Sequence, residues 1–232
     1  MHKTLEEKPI ILIGDVHGDW HFLREFAIKF PEFNVIQLGD FGMGYMEPSK
    51  QHFKLDKLSK VFEGANSHLY VIRGNHDDPK YFDDRVINDR ITFLQDYSVL
   101  TTYNGDRIQL VGGGISVDRK LREENKGWWK GEKIVFSPDK IEKVDCFLSH
   151  VPPKNFILDK FQTNGFVDVF CKEDLTLREE LKEEQELMQI LFDLSQANLS
   201  YFGHMHVDTS CMDGFHRRYR CVDINEALEL LI

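Results

Sequence analysis

The chain is poor in cysteine, in positive charge and in long apolar runs. It has four cysteines in 232 residues, Cys146, Cys171, Cys211 and Cys221, and no CxxC pair. That leaves no disulfide framework to read, and the four are expected to be small thiols in a reducing compartment. Cys211 and Cys221 flank Asp213-Gly214, a turn across which a hairpin would set them facing. Lys and Arg number 29 against 39 Asp and Glu, for a net charge of -10. An acidic surface repels phosphate backbones, so general electrostatic binding of DNA or RNA is disfavoured. No run approaches the length of a membrane span, and "MHKTLEEKPI" lacks the apolar stretch of a signal peptide. These absences predict a soluble, cytoplasmic protein with no membrane partner. There is no internal repeat and no low-complexity tract.

What is present is enough apolar residue, 41%, to bury one good core. The sequence is expected to form a single domain over residues 1–232. "PIILIGDVHGDW", "NVIQLGDFG" and "HLYVIRGNHDD" are apolar runs that each break at a polar string. Between them lie two helical patterns, one with Phe22, Phe26 and Phe30 on a face, the other with Phe53, Leu55, Leu58 and Phe62 inward. Strand, helix, strand, helix, strand is the order of an α/β layered fold. "SVLTTYNGDRIQLVGGG" predicts a hairpin turning at Asn104-Gly105. Residues 115–137 are highly charged, carry Trp128 and Trp129, and read as a surface excursion. "KVDCFLSHVPP" and "LSYFGHMHV" are further strands with polar ends. Between them "TLREELKEEQELMQILFDLSQA" is a helix, with Thr176 and Glu179 placed for a capping box.

Five of these runs end in residues that bind metals: Asp15 and His17, Asp40, Asn75 with His76 beside it, His150, and His204 with His206. Five of the ten histidines fall in these short strings. One Gly-Asp after a strand is an ordinary turn, and one histidine there is ordinary surface. Five such endings are another matter, because loops at the carboxyl ends of strands converge on one crevice. Leaving His76 aside, two carboxylates, one amide and four imidazoles are too many protein donors for one ion. They suit two, with a carboxylate shared. Nitrogen and oxygen donors without thiolate favour divalent transition metals, Mn first, with Fe, Zn, Ni or Co as alternatives, over Ca. Paired ions about 3.5–4 Å apart serve phosphoryl transfer.

The ordered set GD-x-H, GD, GNH, H and GH-x-H, from Asp15 to His206, resembles the calcineurin-like metallophosphoesterase superfamily. The resemblance implies a four-layer α/β/β/α sandwich with two mixed β-sheets and a dinuclear site at strand C-terminal ends. It implies that Asp15, His17 and His206 hold one ion, that Asn75, His150 and His204 hold the other, and that Asp40 bridges them. A metal-bound hydroxide would attack phosphorus, and His76 would be the catalytic histidine that protonates the leaving alkoxide. Arg73 matches a phosphate-binding arginine of the protein-phosphatase branch. That branch orients its histidine with an aspartate and adds a second arginine, where this chain has Met43 and Gly44. His76 must therefore be oriented by Asp77, Asp78, Asp19 or a backbone carbonyl. The expected activity is hydrolysis of a small, nucleotide-like phosphoester. A nuclease would need a basic groove, for which the excursion with Arg119, Lys120 and Arg122 is the one source. A non-catalytic scaffold would have lost a ligand or the motif histidine.

Overall fold

The computed structural model describes residues 1–156 and 166–232. One sheet contains β2 (Ile10–Ile13), β3 (Asn34–Gln37), β4 (His68–Val71), β5 (Arg85–Ile87), β6 (Ile91–Phe93) and β13 (Ala227–Glu229), in the order β13-β2-β3-β4-β6-β5. Its inner four strands are parallel and its two edges antiparallel. The other contains β1 (His2–Thr4), β7 (Val99–Thr101), β8 (Arg107–Val111), β9 (Cys146–Ser149), β10 (Leu199–Phe202), β11 (Thr209–Met212) and β12 (Arg218–Cys221), in the order β1-β7-β8-β9-β10-β12-β11. It is also mixed: β8, β9, β10 and β12 run parallel, and the β7/β8 and β11/β12 hairpins are antiparallel.

The two-residue period of a strand distributes the core. Along β2, Ile10 and Leu12 face the second sheet, where Leu100, Ile108, Leu110 and Leu148 meet them. Ile11 and Ile13 face the opposite way, onto helices α1 (Trp20–Lys29) and α2 (Pro48–Gly64) through Leu23, Leu55 and Phe62. On the far side, Val111, Phe147 and Phe202 pack against Met188, Leu191 and Phe192. Those three belong to α4 (Leu177–Ser195), which follows the short α3 (Phe166–Cys171). The layers are therefore α/β/β/α. No helix among the described residues is long and apolar enough to cross a membrane.

Several local expectations need adjustment. In α1 the buried stripe is Trp20, Leu23 and Ala27, and Phe30 stays exposed; in α2 Phe53 faces solvent. Thr176 makes no capping bond, because its hydroxyl is engaged by Asp174 and Glu180. The β11/β12 register sets Cys211 opposite Tyr219 and Cys221 opposite Thr209, so the two thiols do not face each other.

Candidate metal centre and active site

The polar strings follow β2, β3 and β4 of one sheet and β9 and β10 of the other, at the same end of the sandwich. Tight turns are required there. His17, Asp40, His204 and His206 all sit at positive φ, between 44° and 65°, a region that costs free energy for residues with a Cβ. Four such residues at one spot mark backbone bent to aim side chains. Two glycines make room: a Cβ on Gly74 would lie 2.0 Å from Asp40 Oδ1, and one on Gly203 would lie 2.2 Å from Asp15 Oδ1.

The structure brings all seven sequence-predicted donors together. Ligand atoms of Asp15, His17, Asp40 and His206 lie within 4.8 Å of one another. His206 Nε2 is 3.0 Å from Asp15 Oδ2 and 3.0 Å from His17 Nε2. Asn75 Oδ1 is 2.8 Å from His150 Nε2 and 2.9 Å from His204 Nδ1. Asp40 adjoins both groups, with Oδ2 3.8 Å from His17 Nδ1 and Oδ1 3.5 Å from His150 Nε2.

The donor chemistry fits cations. His150 Nδ1 lies 2.8 Å from the Leu38 carbonyl, which only accepts, so Nδ1 carries the proton. In the neutral imidazole, His150 Nε2 then aims a lone pair at the oxygens of Asn75 and Asp40. The Asn75 amide is fixed the same way: Nδ2 donates to Ser116 Oγ at 2.9 Å, which leaves Oδ1 facing the histidines. Acceptors turned on acceptors in a buried spot are satisfied by a positive ion between them. Burial lowers the pKa of His17, and burial with His150 nearby lowers that of His204. Both are thereby kept neutral, the form in which an imidazole can bind a cation. The Asp15 hydrogen bond raises that of His206. Burial opposes the charge on Asp40, but His150, His76, His17 and the His76 backbone N–H outweigh it and hold the carboxyl well below the usual range.

His76 lies beside this cluster, its ring centroid 5.8 Å from that of His17. Of the four orienting partners left open by the sequence, the structure selects the backbone carbonyl. His76 Nδ1 donates to Gly127 O at 2.9 Å. Asp77 is taken up elsewhere, accepting from the backbone N–H groups of Phe41, Gly42, Met43 and Gly74 at 2.7–3.1 Å. It moulds the loop that carries Asp40, and burial together with Asp40 pushes its carboxyl up to about 6. Asp78 pairs with Lys80, and Asp19 caps α1 through Phe22 N.

The phosphate-binding expectation for Arg73 is corrected. Its side chain is buried, and its guanidinium contacts Asp96 and the carbonyls of Gly131, Glu132 and Lys133. With five N–H groups occupied, none is left for a phosphate. Arg119 is engaged too, by Asp174 and Glu180 of the α4 end. Trp129 is buried, its indole against Gly44, where a Cβ would sit 2.6 Å from Cζ2.

Sequence reasoning missed the braces behind the donors. Ser116 Oγ, bonded to Asn75, passes its own proton toward Glu132 Oε2 at 2.5 Å. Glu184 of α4, buried, accepts from Ile115 N at 3.1 Å and so pins the start of the excursion; burial pushes its carboxyl up to about 7. No local pattern flagged Ser116, Glu132, Gly127 or Glu184. A cavity of about 420 Å³ opens beside His204, with walls partly apolar, from Val117, Val151, Phe156, Leu181 and Met205, and partly polar or charged, from Lys154, Asp168, Arg178, Lys182, Glu184 and Gln185.

Comparison with known proteins agrees with this geometry. The calcineurin-like phosphoesterase family model matches residues 8–208. No curated protein sequence matches the chain. Among solved structures it is similar to TT1561 of Thermus thermophilus, at 11% identity and a TM-score of 0.54, covering 95% of this chain and 91% of that one. It is also similar to a dimetal phosphatase from Danio rerio, at 12% identity and a TM-score of 0.52, covering 95% and 88%. At such identities the likeness is one of fold. The family match spans most of the chain and includes every donor: this chain belongs to the calcineurin-like phosphoesterase family and is a phosphoester hydrolase.

Proposed function

We propose that the chain is a metal-dependent hydrolase of small phosphate esters, nucleotide-like ones included. The observation that carries this reading is the convergence of seven nitrogen and oxygen donors from two sheets, with His76 just outside them. Asp15, His17 and His206 would hold one divalent ion, Asn75, His150 and His204 a second, and Asp40 would be shared. Such ions supply Lewis acidity toward a phosphoryl group and make hydroxide available at neutral pH, and Mn²⁺ suits the donor set.

The chain's own groups do the rest. His76 keeps one proton on Nδ1, held by Gly127 O. A proton on Nε2 is then the one free to pass to the leaving oxygen. Asn75, braced by Ser116, keeps its oxygen toward the histidines. The cavity beside His204, with apolar and charged walls together, offers room for the organic part of a small ester. The nuclease alternative is weakened, because five of the six cations in residues 115–137 are paired; among the described residues Lys120 alone of the six makes no ion pair. Arg119, Arg122, Lys126, Lys130 and Lys133 each pair with a carboxylate. The scaffold alternative finds no missing donor.

The test is hydrolysis of a nitrophenyl phosphomonoester and a bis-nitrophenyl phosphodiester, side by side, after chelation and addition of Mn²⁺. Turnover restored by Mn²⁺ on at least one is expected, and the preferred one sets the ester class. Two bound ions with no turnover of either would overturn the reading.

A further inference from the structure

Arg73 is 3% exposed and two residues from Asn75, and its guanidinium bonds to Asp96 and to backbone carbonyls of residues 131–133. Its fork is bound at both ends. Nε and Nη2 reach Asp96 Oδ2 at 3.1 and 2.9 Å. Nη1 reaches Gly131 O and Glu132 O at 3.2 and 2.7 Å, and Nη2 reaches Lys133 O at 2.8 Å. Asp96 is itself anchored by Gly112 N at 3.1 Å. A planar guanidinium can serve a carboxylate and three successive carbonyls at once; a lysine ammonium cannot.

The segment that Arg73 grips follows, four residues on, the carbonyl that orients His76. From Gly131 the chain returns through a turn closed by Glu132 N to Trp129 O at 3.0 Å, and Gly127 lies at its far end. Trp129 seals the turn against Gly44. The turn has no strand or helix of its own among the described residues, so its place depends on these ties, on Gly114 N to Glu132 O at 2.9 Å and on Arg122 Nη1 to Gly127 O at 3.4 Å, the longest of them. We propose that Arg73 is a positioning residue for His76: it fastens residues 131–133, and through them sets Gly127 O and the ring it holds. The proposal rests on the reading of His76 as the group that protonates the leaving oxygen. It gives one job to the arginine preceding the Gly-Asn-His string, the two tryptophans' turn and Gly44.

The experiment compares 4-nitrophenyl, phenyl and ethyl esters in the class the enzyme turns over, using protein reloaded with Mn²⁺. A leaving group that is a good anion needs no proton; ethoxide does. Variants are Arg73→Lys, the milder Asp96→Asn, His76→Ala and the double Arg73→Lys/His76→Ala. For His76→Ala the loss is expected to grow by at least about tenfold from nitrophenyl to ethyl, within the usual general-acid range. Arg73→Lys should show the same trend, Asp96→Asn a smaller one, and the double variant no more loss than His76→Ala alone. ¹⁵N-histidine spectra of the metal-free protein give an independent readout: a pure Nδ1–H tautomer at His76 in the wild type, and a mixture in Arg73→Lys and Asp96→Asn. Equal losses on all three esters, or multiplicative losses in the double variant, would overturn the role of Arg73. No leaving-group trend in His76→Ala would instead sink the acid role of His76, and the tautomer spectra would still decide whether Arg73 sets the ring. Should Arg73→Lys not fold, Asp96→Asn decides by the same criteria.

Discussion

The strand ends and the excursion build the same site by opposite means. The strand ends carry the donors themselves, on backbone that is fixed by parallel ladders a few residues away. Residues 115–137 carry no donor, and their regular structure is a 3-10 turn at Arg119–Leu121. They are held from outside: by Arg73 on the carbonyls of Gly131, Glu132 and Lys133, by the pairs of Arg119 with Asp174 and Glu180, and by Trp129 in the hollow at Gly44. What they contribute is aim: a carbonyl for His76 and a hydroxyl for Asn75. The comparison teaches that, on the proposed reading, supplying the donors and aiming them are separate tasks, assigned to parts of the chain that are stabilised differently.

The sharpest break is at Asp40, which adjoins both donor groups. Asp40→Asn puts an amide where two histidines expect a carboxylate. Affinity for both ions should fall by more than about a hundredfold, beyond the cost of losing a supporting group. Metal titration after chelation reads it directly, and retention of two tightly held ions would contradict the shared role. Ser116→Ala tests the excursion's side. It frees the Asn75 amide to turn, and the expected cost is about 10–100-fold in affinity for one ion only. A loss at both sites equal to that of Asp40→Asn would erase the distinction between donors and braces.

The smallest effect is a slope. Glu184 sits at about 7 in the fold against an ordinary 4.5. The folded chain therefore holds that proton to higher pH than the unfolded one. Its favourable contribution is complete below pH about 4.5 and is lost as pH rises toward 7. Glu184→Gln can still accept from Ile115 N but cannot ionise. Urea unfolding of the metal-free proteins should show wild type losing on the order of 1–3 kcal/mol relative to the variant across that window. Parallel pH profiles would mean that Glu184 does not tie the excursion to α4 as a buried acid.

The donors were legible in the sequence because each directly follows an apolar run, and a strand must end somewhere. Asp15 is two residues beyond β2, Asn75 four beyond β4, His150 one beyond β9. The layers were legible for the same reason, since alternating burial along β2 follows from its run of isoleucine and leucine. The braces were not. Gly127 acts through a carbonyl, which every residue has, so no side chain announces it. Arg73 finds Asp96 23 residues away, and Arg119 finds Glu180 61 away, distances over which no local pattern pairs one charge with another. The likeness of Arg73 to a phosphate-binding arginine pointed to the wrong partner because residue type records charge and shape but not direction. Phe53 and Phe30 show the same limit in the helices: spacing identified a face, and tertiary packing chose its neighbour.

Asp15, His17, Asp40 and Asn75 come from one sheet, and His150, His204 and His206 from the other. On the proposed reading, a cation seated there would draw donors from both sheets and so act as a clasp across the seam between them. By mass action, each tenfold of free ion above the dissociation constant adds about 1.4 kcal/mol to what opening the sandwich must overcome. The endurance of the fold would thereby be indexed to the metal supply of its surroundings.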